Sequence, residues 1–92
     1  MTDVDARTGI LNDVSDILET RMGVSLPGPL EDKTLFFADL GLASIDAVVL
    51  SEEIQAFYGR PLPFQELMAT IGRRTDRDMS IGELVSFVSD NL

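Results

Sequence analysis

Two proline clusters, Pro27-Gly28-Pro29 and Arg60-Pro61-Leu62-Pro63, interrupt a chain whose apolar residues otherwise recur at helical spacing. Proline has no amide to donate, and its ring crowds the preceding turn, so no helix runs through either cluster. The chain must fold as several short helices rather than one long rod.

Before the first break, Ile10, Leu11, Val14, Ile17, Leu18 and Met22 repeat with a helical period, and Asp13, Asp16, Glu19 and Arg21 fill the gaps. The pattern predicts an amphipathic helix over Val4 to Met22, stopped by Gly23. A connection follows from Gly23 to Ala43. Loops beyond about 12–15 residues are uncommon in compact domains and are often functional. Leu35, Phe36, Phe37, Leu40 and Leu42 are too apolar to stand in water, so a short turn around Leu35 to Asp39 should tuck under the helices.

Between the breaks, a second helix is expected from Ser44 to Tyr58, ended by Gly59. At about 100° per residue, Ala47, Leu50, Ile54, Phe57 and Tyr58 share one arc, the expected core face. Ile45, Val48 and Val49 fall on the opposite arc, around Ser44 and Glu52. That second apolar stripe is either covered by the long loop or left for a partner. A short third helix is expected over Phe64 to Ile71, capped by Gly72, and then a solvated loop with Arg73, Arg74, Asp76, Arg77 and Asp78. Ser80 and Glu83 fit a capping box at the head of a last helix, where Ile81, Leu84, Val85 and Val88 keep the period beside Phe87. No strand pattern competes. The expected fold is all-α: a small, mostly antiparallel four-helix bundle in one domain over residues 1–92. Three helices are longer, the third is short, and a long loop joins the first two.

Composition narrows the chemistry. The formal net charge is -9 and the sequence pI is near 4.1. Residues 1–58 hold 11 acidic and 3 basic side chains, so the acidity belongs mostly to the half that contains Ser44. Such a chain repels nucleic acid and anionic membranes and suits partners with basic patches. With no cysteine and no histidine, there is no disulfide, thiolate nucleophile or imidazole base. The start MTDVDARTG lacks an apolar signal core, and no apolar run approaches the ~18–20 residues of a membrane span. A cytoplasmic, monomeric protein is expected.

Ser44 closes the string LGLAS and opens the second helix. Serine is a favoured N-cap, worth roughly 1 kcal/mol over alanine, and that alone would explain it. A hydroxyl at a helix start also faces the positive end of the helix dipole, a good setting for a phosphate ester. Gly41 permits a tight turn, Leu40 and Leu42 can anchor it, and Asp39 and Asp46 flank the serine with negative charge.

Asp39-Leu40-Gly41-Leu42-Ala43-Ser44-Ile45-Asp46 resembles the D-x-G-x-D-S-hydrophobic motif of acyl carrier proteins. The order and spacing of the helices from Ile10 to Val88 resemble that family as well, as does the ending SIGELVSFV. The resemblance implies a freestanding acyl carrier protein, not an enzyme. A phosphopantetheinyl transferase would move 4'-phosphopantetheine from coenzyme A onto Ser44. Acyl cargo would ride as a thioester on the arm to enzymes of fatty-acid, polyketide or related natural-product biosynthesis. An aminoacyl, peptidyl or hydroxyacyl carrier of the same fold is the alternative, as is an unmodified helical interaction module. The expected docking face comprises Asp39, Leu42, Ile45, Asp46, Val48, Val49, Glu52 and Glu53, with acyl-loading and acyl-processing enzymes as partners. Two residues depart from the family pattern. Ala43 replaces the usual aspartate before the serine, and Val49 stands where glutamate is common.

Other sites fit poorly. Asp3 and Asp5 begin like a calcium loop, but Thr8 takes the glycine position and Val14 the glutamate position. Asp76, Asp78 and Ser80 fail in the same way, and no metal is expected. The string GLAS is not a nucleophile elbow, and no histidine could serve as a hydrolase base.

Overall fold

A computed structural model describes residues 2–92, with side chains from Ala6 onward. The pair Asp3 and Asp5 lies outside the described side chains. Four α-helices follow in chain order: α1 (Thr2–Asp16), α2 (Ser44–Tyr58), α3 (Phe64–Gly72) and α4 (Ile81–Asn91). The fold is the expected all-helical bundle with a short third helix.

The first helix does not stay α to its end. Ile17–Arg21 forms a π-helical turn, with the Met22 amide donating to Ile17 O at 3.1 Å. The Thr20 hydroxyl donates to Asp16 O at 2.7 Å, occupying a carbonyl that the Thr20 amide would use in an α-helix. The wider turn still buries both Ile17 and Leu18, and it packs against α2 while α1 packs against α4.

Ile10, Val14, Ile17 and Leu18 meet Ala47, Leu50 and Ile54 of α2, and Ile81, Leu84, Val85 and Val88 of α4, in one core. Phe57 departs from expectation. It sits at the edge of the inward arc, 39% exposed, edge-on to Tyr58 at 5.0 Å, with the Arg21 guanidinium 5.9 Å from its ring centre. Tyr58 is half-buried, and its hydroxyl donates to Asp13 at 2.8 Å. Burial and this bond to a carboxylate both push the phenol pKa up.

The long loop is fixed by the head of α4. A helix start leaves amides without intrahelical partners. Here Ile81 N–H donates to Thr34 O and Gly82 N–H to Asp32 O, each at 2.8 Å. Phe36 N–H donates to Met79 O at 2.8 Å, and Leu35 forms an isolated bridge with Ser80. Glycine suits position 82, because a Cβ there would crowd Asp32, 3.0 Å from its carbonyl oxygen, and push the loop away. Phe36 is thereby held fully buried, and residues 35–40 form the expected tucked turn. The Ser80–Glu83 capping box is present: Glu83 N–H donates to Ser80 Oγ at 3.1 Å and Ser80 N–H to Glu83 Oε1 at 3.0 Å.

The loop after α3 is not simply solvated. Arg74 pairs with Glu83, and Asp78 is buried. The Arg74 hydrogen bond pulls the Glu83 carboxyl down to about 2 against the opposing effect of burial, with the Ser80 amide assisting.

Candidate functional site

The segment that presents Ser44 is built from local backbone bonds. Asp39 N–H donates to Leu35 O at 3.0 Å, while the Asp39 carboxylate accepts Leu35 N–H at 2.8 Å. Gly41 N–H donates to Phe37 O at 3.0 Å, and Gly41 turns the chain at φ 68°, a left-handed conformation that glycine adopts without a side-chain penalty. Leu42 is half-buried against the core and anchors the exit from the turn.

The cap is one residue earlier than the sequence suggests. Ala43 is the N-cap, in extended conformation, and Ser44 is the first helical residue. Alanine has no side-chain oxygen to offer, so Asp46 takes over the local capping. Its carboxylate accepts Ala43 N–H at 2.8 Å. Ser44 is exposed and provides no cap bond, so its hydroxyl is not committed to holding the helix.

A buried carboxylate from the connection between α3 and α4 fixes the turn. Asp78, 8% exposed, accepts the amides of Phe37 at 3.0 Å, Ala38 at 3.1 Å and Met79 at 2.7 Å. Burial raises its pKa, but the donors from Phe37, Met79 and Ala38 outweigh that effect and hold it below the ordinary aspartate value, with Glu83 opposing them. Sequence periodicity carries no sign of this link, because its partners are backbone amides 40 and 41 residues away.

Beside Ser44 lies a cavity of about 330 Å³, lined by Ser44, Ala47, Val48, Met68, Ile71 and Arg77 among others. The long loop does not cover the second apolar stripe of α2. Ile45 is 67% exposed, Val48 48% and Val49 37%. The acidic residues around it differ. Asp39 and Asp46 serve the backbone, Glu53 pairs with Arg21 at 3.3 Å, and Glu52 stands exposed without an ion pair among the described residues. Those residues also hold no cluster of three or more acidic side chains placed to bind a metal, and no helix long and apolar enough to cross a membrane.

A small helical domain with an uncommitted hydroxyl on an open, acidic surface has the form of a carrier rather than of an enclosed catalytic centre. A family model described as a phosphopantetheine attachment site matches residues 12–73, and the chain belongs to that family. No curated protein and no solved structure matches it. The protein is a phosphopantetheine carrier, and its family holds 4'-phosphopantetheine covalently. Carriers of this kind interact with a phosphopantetheinyl transferase and with biosynthetic enzymes. The residues present suit such a group: Ser44 offers an exposed hydroxyl of the chemistry a phosphate ester needs, and the adjoining cavity has room beside it.

Proposed function

We propose that Ser44 carries the phosphopantetheine arm and that the protein ferries acyl intermediates in fatty-acid, polyketide or related natural-product biosynthesis. The observation that carries the proposal is the exposed Ser44 hydroxyl, which makes no cap bond because Ala43 holds the N-cap position and Asp46 bonds back to the Ala43 amide. Loading forms one phosphoester bond at Ser44 Oγ and breaks the pyrophosphate bond of coenzyme A. The hydroxyl proton is lost, and the nucleotide half leaves. The arm supplies a terminal thiol on which cargo rides as a thioester, which raises the cargo's effective concentration at each enzyme. The bonded turn from Leu35 to Gly41 holds the attachment point in place.

The docking face has Ile45, Val48 and Val49 at its centre, Leu42 below, and Asp39, Asp46, Glu52 and Glu53 around it. Apolar centres supply binding energy, while rim charges steer encounter. This suits partner enzymes with basic docking patches. Incubation with coenzyme A and a broad-specificity transferase should add one phosphopantetheine to the intact mass. Peptide mapping should place it on the Ser44 peptide, and Ser44→Ala should abolish it. Because Ser44 is not the cap, that variant should melt within about 0.5 kcal/mol of the parent. Modification that persists in Ser44→Ala would overturn the assignment.

A further inference from the structure

The cavity beside Ser44 has one charged residue in its wall, Arg77. Among the described residues Arg77 forms no ion pair, although carboxylates flank it in the chain. Both flanking carboxylates are engaged elsewhere. Asp76 Oδ1 accepts Asp78 N–H at 3.3 Å, and Asp78 is turned onto the amides of Phe37, Ala38 and Met79. The nearby Arg74 is tied to Glu83. Arg77 is thus left as a free cation facing a groove it shares with the attachment serine.

Its backbone is unusual as well. Arg77 has φ 52°, the only left-handed non-glycine residue among those described. Such a conformation is unfavourable for a residue with a Cβ and persists only where surrounding contacts impose it. The following residue supplies those contacts: Asp78 is bonded to the 37–38 turn through its carboxylate, and its carbonyl accepts from Arg74 at 3.2 Å.

An ester on Ser44 would add a phosphodiester anion to a chain of net charge -9, between Asp39 and Asp46. No basic residue lies on α2 to balance it. We infer that Arg77 is the counter-ion for the phosphodiester of the arm and draws the arm over the α2–α3 side of Ser44. The inference rests on the reading of Ser44 as the attachment site. Such a pair is exposed and must weaken as salt screens it.

The test uses the apo and fully loaded protein, with loading verified by intact mass. The Arg77 side-chain Nε–Hε resonance, observed at mildly acidic pH where its proton exchanges slowly, should move on loading. The arm's phosphorus resonance should differ between the parent and Arg77→Gln, stay near the parent position in Arg77→Lys, and drift toward the Gln position as salt is added. An Arg77 resonance that stays put in fully loaded protein, or identical phosphorus resonances in parent and Arg77→Gln, overturns the inference and leaves the attachment site standing. Failure of the mass shift at Ser44 overturns both. Melting of apo Arg77→Gln shows whether the variant folds, and the parent's own resonance decides the matter without it.

Discussion

The Asp78 carboxylate accepts the Phe37 amide at 3.0 Å across 41 residues of chain, and with that bond the α3–α4 connection holds the turn that leads into Ser44. The long α1–α2 loop is therefore an anchored platform, ordered by one buried anion and by the first amides of α4, which have no partner within the helix.

Removing that anion should loosen the platform. Asp78→Asn keeps the size but loses one of two acceptor oxygens, and should cost about 1–3 kcal/mol in a denaturant melt. The pH dependence has a definite sign. A carboxyl held below its unfolded pKa stabilises the fold fully above that unfolded value, and the contribution is lost as pH falls through the folded value. Asp78 has this sign, and Glu83 extends the loss down to about 2. Circular dichroism across acid pH should show the parent weakening below the ordinary carboxylate range. Asp78→Asn should show a shallower fall, and an unchanged slope would refute the assignment.

Gly82 should not tolerate a side chain. A Cβ there meets Asp32 O at 3.0 Å in a loop held by its own hydrogen bond to Gly82. Overpacking of this kind costs typically about 1–3 kcal/mol. Gly82→Ala should lower the melting temperature and increase hydrogen exchange at residues 34 to 36. Gly9→Ala, in open space, is the matched control.

Leu50 and Ile54 are buried where α2 faces the core. Either alanine variant should lose roughly 2–5 kcal/mol, as large-to-small core changes do. Phe57→Ala should cost less than either, because its ring is 39% exposed. A melt in which Phe57→Ala is the most damaging would contradict the packing.

The docking proposal is tested best at Ile45, which is 67% exposed and stands outside the cavity wall, whereas Val48 lines it. Ile45→Asp should melt within about 0.5 kcal/mol of the parent yet slow transfer of cargo to a partner enzyme. Glu52→Lys should chiefly reduce the association rate, with the deficit shrinking as salt rises. Glu53→Lys also breaks the pair with Arg21, so it should show a stability loss that Glu52→Lys does not. Equal transfer by Ile45→Asp and parent would remove this face from the account.

Short-range rules in the sequence determined the helices and the place of the serine. The proline breaks, the capping box at Ser80 and the apolar period put α2 at Ser44–Tyr58 and turned Ala47, Leu50 and Ile54 inward. Each of those signals acts within a few residues, so it is written locally. Tertiary structure alone decided the rest. Ala43 took the N-cap position with Asp46 bonded to its amide, Arg21 came to lie over Phe57, and Asp78 left the solvated loop for the amides of Phe37 and Ala38. Arg77 then adopted a left-handed backbone in the wall of the serine's cavity. An aspartate in a polar run reads as solvated until the chain path buries it. That path depends on which distant backbone donors lack partners, and no local period records it.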